Sequence, residues 1–179
     1  IDELDAQVRE HSEGREMTAN ILPSASAEKH YPIAFNLIPQ IDVFCDNLYT
    51  KEEMKMVNET KKIMEDYEMR ITATTIRVPV YRSHSESVNI ELEKEVDLGA
   101  MREALAKFPG VTVQDDPSKQ EYPMPLYTSE KDDVYVGRLR RDESWEKSYN
   151  MWVVGDQIRK GAALNTLQIA ETMIKNGWI

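Results

Sequence analysis

The stretch from Arg77 to His84 (Arg-Val-Pro-Val-Tyr-Arg-Ser-His) combines two side chains that could do chemistry. A neutral imidazole is a competent general base at physiological pH, and an arginine fork can hold a carboxylate through two hydrogen bonds. Pro79 interrupts the sheet ladder between two flanking strands, so we expect the tip to present Arg77 and His84 to one cleft. The alternative is an ordinary, solvated Arg and His near a strand end, and the pattern alone favours that alternative.

A second candidate pair lies in the segment YTKEEMKM. Glu52 and Lys55 are three residues apart at the first turn of a predicted helix, so they share one face. Glu52 could bind an ammonium group and Lys55 an anion. A charged first turn is more often solvated surface that complements the helix dipole, and that interpretation stays open.

Two further features are weaker. Cys45 is the single cysteine, but Asp42 and Asp46 lie close in sequence and disfavour a thiolate, so it is interpreted as a small, partly buried residue. Asn165 follows Gly161-Ala162-Ala163, whose small side chains permit close approach of a backbone or a cofactor, although tight helix packing is the commoner reason. No Gly-x-Gly-x-x-Gly motif occurs, so a complete dinucleotide-binding half is absent.

The elements that must position these residues follow from caps and periodicity. Residues 1–11 form a weak amphipathic helix, and residues 116–131, with three prolines, predict an irregular loop. Three further helices are predicted: from the Thr50 and Glu53 capping box to about Asp66, from Asp97 to Pro109-Gly110, and from near Gln157 to Gly177. Strands are predicted at 69–80, 85–95, 111–116, 133–141 and 149–156. This order predicts an α+β fold in one domain, 1–179, with a mixed, largely antiparallel sheet covered by helices.

Composition excludes several classes of protein. The chain has 179 residues and a net charge of −10, which argues against binding nucleic acid. No apolar run approaches the roughly 20 residues of a membrane helix, and the polar start is unlike a signal peptide. One cysteine permits no internal disulfide, and three scattered histidines predict no metal site. We therefore expect a cytoplasmic protein without a structural metal; a start inside a helix, without Met, is what a fragment would show.

Several separated segments, taken together, resemble one family. From about Pro32 to the end of the chain, and in the family's order, the sequence is similar to the bacterial type of aspartate-semialdehyde dehydrogenase. The segments that carry this resemblance are FNLIPQIDVF, YTKEEMKM, RVPVYRSH continuing into SESVNIELE, MWVVGD and KGAALNTLQIAE. The resemblance implies a C-terminal domain like that of glyceraldehyde-3-phosphate dehydrogenase, whose sheet forms a homodimer and whose final helix, 157–177, packs on an N-terminal NADP-binding domain.

The resemblance also implies a reaction and its residues. The family reduces 4-phospho-L-aspartate to L-aspartate 4-semialdehyde with NADPH, on the route to lysine, threonine and methionine. On this chain, His84 would be the acid and base, and Arg77 would bind the substrate α-carboxylate. Glu52 would receive the α-ammonium, Lys55 would help hold the phosphate, and Asn165 would approach the nicotinamide end of NADP.

Two departures from the family pattern limit what this chain can do alone. The family's nucleophilic cysteine, in an Asn-Cys-Ser/Thr type of motif, has no counterpart here, and the upstream nucleotide-binding half is missing. We therefore expect the C-terminal half of the enzyme, inactive by itself. The alternatives are a non-catalytic dimerisation or assembly module of the same fold, and a related acyl-phosphate reductase whose substrate has no amino group.

Overall fold

The computed structural model describes all residues from 1 to 179. Caps and turns set most of the helix and strand boundaries. The elements are α1 (Asp2–Ser12), α2 (Lys51–Met64), β1 (His84–Glu91), α3 (Leu98–Lys107), β2 (Val111–Val113), α4 (Pro125–Thr128), β3 (Val134–Arg141), β4 (Ser148–Gly155) and α5 (Ala163–Lys175). The chain divides into two units, Ile1–Tyr81 and Arg82–Ile179, which are described separately. That the whole chain is a single domain stays a prediction.

The first unit is organised around a buried glutamine on α1. The side chain of Gln7 is inaccessible to solvent; its Nε2 donates to the carbonyl of Thr18 at 2.8 Å. Its Oε1 accepts the N–H groups of Ile33 at 2.9 Å and Ala34 at 3.0 Å. Because a buried amide must be satisfied, these bonds hold α1 against the loop that supplies the buried Ile33, Ala34 and Ile38.

The capping box predicted at the start of α2 is confirmed. Glu53 N–H donates to Thr50 Oγ1 at 3.2 Å, and Thr50 N–H donates to Glu53 Oε2 at 2.8 Å, so each residue satisfies the other's free amide. The helix ends at Met64 because Glu65 adopts a left-handed conformation, with φ at 54°. The predicted end near Asp66 agrees within the usual boundary uncertainty.

The strand predicted at 69–80 is wrong. This segment pairs with another only through an isolated antiparallel bridge between Arg77 and Ile38. The β-branched residues favour an extended backbone, but a strand needs a partner, and Pro79 cannot donate to a ladder. The segment is extended chain rather than part of a sheet.

The second unit contains a four-stranded sheet in the order β1-β4-β3-β2. The β1–β4 and β4–β3 pairs are antiparallel, and β2–β3 is parallel, so the predicted mixed, largely antiparallel α+β fold is confirmed. Met101 of α3 packs with Leu139 and Tyr149 in the core. The Tyr149 hydroxyl donates to the Val96 carbonyl and accepts the Val96 N–H, both at 2.7 Å, which ties the start of α3 to the sheet.

Four predicted boundaries in this unit change. The strand predicted at 85–95 ends four residues early, at Glu91. The final helix begins at Ala163 rather than near Gln157, because the Asp156 carbonyl accepts the N–H groups of Arg159 and Lys160 in a turn before Gly161, whose φ is +83°. The predicted strand 111–116 keeps three residues, and the loop 116–131 contains a 3-10 turn and α4. None of the helices is both long and apolar enough to cross a bilayer.

Candidate active-site residues

Glu52 and Lys55 share the first turn of α2, as predicted. Lys55 Nζ lies 3.6 Å from Glu52 Oε1, and the two side chains are 55% and 35% exposed for Lys55 and Glu52 respectively. An exposed ion pair of this kind contributes little to stability, on the order of 0.5 kcal/mol or less. Both charged ends can therefore bind a ligand at small cost to the fold.

Arg77 is fixed by its backbone and has a free side-chain donor. Its N–H donates to the Ile38 carbonyl at 2.9 Å, and its carbonyl accepts the Ile38 N–H at 3.1 Å. Its Nε is shielded from solvent and has no hydrogen-bond partner within the chain. Leaving a buried donor unpaired costs about 1–3 kcal/mol, so an anionic ligand at this guanidinium would recover free energy that the chain alone does not.

His84 is the first residue of β1, and its side chain is exposed. It pairs in register with Gly155 of β4. The preceding Ser83 is buried and has a backbone φ of +75°, a value that residues other than glycine rarely adopt. The Ser83 N–H donates to Gln157 Oε1 at 2.8 Å, and its hydroxyl lies 3.2 Å from that of Ser129. These contacts fix the backbone from which the imidazole projects.

A buried carboxylate anchors the same segment. Asp156 is inaccessible to solvent; its Oδ2 pairs with Arg82 Nη2 at 2.7 Å and accepts the Glu130 N–H at 2.6 Å, while Oδ1 accepts the Ile158 N–H at 2.9 Å. Burial alone would raise the pKa of the Asp156 carboxyl, but the two amide donors and Arg82 outweigh it and lower the pKa. The carboxylate thereby joins the segment before His84 to the turn that leads into α5.

Asn165 lies in the first turn of α5, where its N–H donates to the Arg159 carbonyl at 3.2 Å. The helix has no side-chain cap at Ala162, and Gly161, Ala162 and Ala163 are exposed. An added Cβ at Gly161 would meet no atom within 4 Å. Small residues, open space and uncapped amide donors are compatible with an approaching carboxamide or phosphate group, so the residues present fit a nucleotide cofactor.

Of the predicted set, the structure shows one direct contact, between Glu52 and Lys55. Glu52, Lys55 and Arg77 belong to the first unit, whereas His84 and Asn165 belong to the second. That Arg77 and His84 face one cleft stays a prediction. Cys45 is partly buried, as expected, in a turn where its N–H bonds to the Tyr49 carbonyl at 2.8 Å.

Sequence reasoning missed three residues that shape these surroundings. Glu53 was predicted only as a cap, yet its Oε1 also accepts the Thr75 N–H at 2.8 Å. The pairing of Arg82 with Asp156 joins residues 74 positions apart, and no local spacing signals it. The capping-box motif predicts the bond from Glu53 to the Thr50 N–H, but not the bond from Glu53 to the Thr75 N–H.

The sequence model of the family described as "Semialdehyde dehydrogenase, dimerisation domain" matches residues 1–160. The chain belongs to this family. Its fold, a glyceraldehyde-3-phosphate-dehydrogenase-like C-terminal domain, is the one the resemblance implied.

The particular relatives are aspartate-semialdehyde dehydrogenases, which confirms the resemblance. Those of Aquifex aeolicus and Bacillus subtilis are 48% and 47% identical over 100% and 98% of this chain, and the match covers 51% of each. The crystal structure of aspartate semialdehyde dehydrogenase II from Vibrio cholerae superposes with a TM-score of 0.87 at 39% identity, over 97% of this chain and 49% of that one. A structure of the same enzyme complexed with ASA gives a TM-score of 0.86. The chain thus spans about half the length of the relatives it matches.

Proposed function

We propose that this chain is the substrate-binding and dimerisation half of an aspartate-semialdehyde dehydrogenase. The complete enzyme would reduce 4-phospho-L-aspartate to L-aspartate 4-semialdehyde and phosphate with NADPH, in the biosynthesis of lysine, threonine and methionine. Similarity along the whole chain to relatives of that name supports the proposal. The reaction would take place in the cytoplasm, as expected of amino-acid biosynthesis.

The observation that carries the proposal is the unpartnered guanidinium nitrogen of Arg77, in the same unit as a separate anion and cation. An amino-acid aldehyde presents a carboxylate, an ammonium and a reactive carbon. Arg77 would bind the α-carboxylate through two hydrogen bonds, Glu52 would receive the α-ammonium, and Lys55 would hold the phosphate. Each role uses a group that the fold leaves accessible or unsatisfied.

His84 would serve as the acid and base. In the biosynthetic direction, a cysteine of the other half displaces phosphate to give an acyl-thioester. In reverse, the cysteine attacks the aldehyde and the imidazole takes the proton as the thiohemiacetal forms. NADPH, when bound, supplies the hydride, and Asn165 would contact its nicotinamide end. Without the cysteine and the nucleotide-binding half, the chain alone would be inactive.

The proposal is tested in the full-length protein that carries this chain. Phosphate-dependent reduction of NADP with L-aspartate 4-semialdehyde should appear, and His84→Ala should lower kcat/KM by about 100-fold or more. His11→Ala removes an exposed imidazole from α1 and should leave the rate within about twofold. Equal rates for the two variants would remove His84 from the mechanism.

A related acyl-phosphate reductase is the second candidate, because Glu52 already pairs with Lys55 and could serve that lysine rather than an ammonium. Glu52→Gln in the full-length protein discriminates between the two candidates. With an amino-aldehyde substrate, KM should rise about tenfold because the anion that receives the ammonium is lost. The matched control is Glu59→Gln, an exposed change on the same helix that should leave KM unaltered. If Glu52→Gln also left KM unaltered, the aspartyl assignment would be dropped.

We also propose that the chain forms a homodimer through the sheet of its second unit. The name of the matched family, a dimerisation domain, supports this assembly. Its other proposed partner is a small-molecule substrate. We propose neither nucleic acid nor a membrane as a partner.

A further inference from the structure

Glu53 uses both carboxylate oxygens on backbone amides from two separate segments. Oε2 accepts the Thr50 N–H at 2.8 Å, which is the ordinary capping-box bond. Oε1 accepts the Thr75 N–H at 2.8 Å, and Thr75 lies 22 residues further along the chain. The residue is 7% exposed, so both bonds form largely away from solvent. The Thr50 amide first, and then the Thr75 amide, hold the pKa of the Glu53 carboxyl below its ordinary value.

The segment that contains Thr75 has no sheet to fix its position. From Ile71 to Val78 its residues alternate between partly buried and exposed, as in extended backbone, and its single backbone bridge joins Arg77 to Ile38. The Tyr49 hydroxyl lies 3.0 Å from Thr72 Oγ1 near the other end of the segment. Because a continuous ladder is missing, individual bonds set where the segment lies along α2, and the Glu53 bond reaches it directly from that helix.

The two ends of this bond carry the proposed substrate-binding residues. Glu53 stands between Glu52 and Lys55 on the first turn of α2. Thr75 precedes Arg77 by two residues in the extended segment, and side chains two apart in extended backbone point to the same side. A shift of Thr75 relative to Glu53 would therefore change the spacing between the guanidinium and the charges on α2.

We propose that Glu53 is a positioning residue: it holds the segment with Arg77 in register with the helix that carries Glu52 and Lys55. This inference rests on the proposed function, because those three residues are the proposed ligands of the substrate. Glu53 itself would not touch the substrate. This role explains why Glu53 is buried and accepts two backbone hydrogen bonds, although a capping box requires only one of its oxygens.

Substitution can separate the two tasks of Glu53. Glu53→Gln keeps the size of the side chain, but its NH2 group cannot accept from a backbone N–H, so one of the two bonds is lost. Glu53→Asp keeps the charge in the first turn and is one methylene shorter, so it cannot span both amides. Thr50→Ala is the matched control, because it removes the other side chain of the capping box and leaves the Glu53–Thr75 bond in place.

The experiment measures kcat, KM for L-aspartate 4-semialdehyde and thermal midpoint for each variant in the full-length protein. We expect Glu53→Asp to raise KM about tenfold, with kcat within about threefold, because the shorter carboxylate cannot reach both amides. Glu53→Gln should raise KM by less, because its single Oε1 can still accept the Thr75 N–H. Thr50→Ala should lower the thermal midpoint to a similar extent while KM stays within twofold. Equal KM for Glu53→Asp and the unmodified protein, or an equal rise in Thr50→Ala, would overturn the positioning role.

Failure of the proposed function has a different signature. A full-length protein with no activity toward the semialdehyde refutes the proposed function and leaves the geometric claim to a second measurement. That measurement is hydrogen exchange at the Thr75 amide, which should be faster in Glu53→Asp than in Thr50→Ala. If Glu53→Gln does not fold, Glu53→Asp carries both tests, and equal exchange in the two remaining variants contradicts the inference.

Discussion

At the scale of single residues, one strained backbone position lies immediately before the proposed base. Ser83 has a left-handed backbone, is buried, and bonds to Gln157 and Ser129. A β-carbon in this conformation costs about 1 kcal/mol, and surrounding contacts must maintain it. His84 therefore projects from a backbone that its neighbours determine.

This strain can be measured by comparing two substitutions at one position. Ser83→Ala and Ser83→Gly both remove the hydroxyl contacts, but glycine also removes the β-carbon that strains the backbone at φ +75°. We expect Ser83→Gly to be more stable than Ser83→Ala by about 1 kcal/mol, less the entropy that glycine gains in the unfolded chain. Urea unfolding of both variants provides the comparison; a glycine variant that is less stable by the full entropic cost of glycine, about 0.5–1 kcal/mol, would show that no strain is stored there.

At the scale of elements, buried carboxylates connect segments that the sequence separates. Asp156, directly after β4, pairs with Arg82, which lies two residues before β1. It also accepts the N–H groups of Glu130, between α4 and β3, and of Ile158. Glu53 does the same between α2 and the extended segment with Thr75. In each case a charged, largely buried side chain replaces the regular hydrogen bonds that a ladder would provide.

The Asp156 connection predicts a dependence of stability on pH. Asp156→Asn should lower the free energy of unfolding at pH 7 by about 2–3 kcal/mol, at the lower end for a broken buried pair because the Arg82 side chain is 26% exposed. The pKa of Asp156 is lowered in the folded state, so its contribution is present above the unfolded value, about 3.9, and is lost as the pH falls through the folded value. Denaturant unfolding from pH 7 to pH 2 should show the difference between the two proteins shrinking below about pH 4. A constant difference would contradict this linkage.

At the scale of the whole molecule, much apolar surface stays exposed. On α5 and the residues after it, Leu167, Ile169, Ile174 and Trp178 are each more than half exposed. Exposed apolar side chains of this kind are candidates for contact with other protein segments. The chain spans about half the length of the relatives it matches.

The oligomeric state of the isolated chain can be predicted from where the proposed dimer interface lies. We expect the isolated chain to be a dimer in light scattering, because the proposed dimer interface lies within the sheet of its own second unit. The full-length protein, measured in the same buffer, is the control and should also be a dimer. A clean monomer of the isolated chain at high concentration, beside a dimeric full-length protein, would place the interface elsewhere.

The sequence by itself determined the elements with strong local signals. The caps at Thr50 and Asp97 predict α2 and α3 close to their observed bounds, because capping and amphipathic period act over a few residues. The alternation over 85–95 predicts β1, which ends earlier, at Glu91. The residue types at Arg77 and His84 predicted the chemistry of the candidate site, although the pattern alone favoured solvated surface. Family resemblance, rather than spacing, gave these residues their roles.

Only the tertiary structure decided what depends on distant partners. The stretch 69–80 has strand propensity but does not pair in a ladder. Helix α5 begins at Ala163 because residues 157–160 form a turn after Asp156 instead of the first turn of the helix. The bonds from Glu53 to Thr75 and from Asp156 to Arg82 join positions far apart in the chain. Propensity describes the preference of a residue for a backbone conformation, whereas pairing and burial require a second segment at the right place, and only folding supplies it.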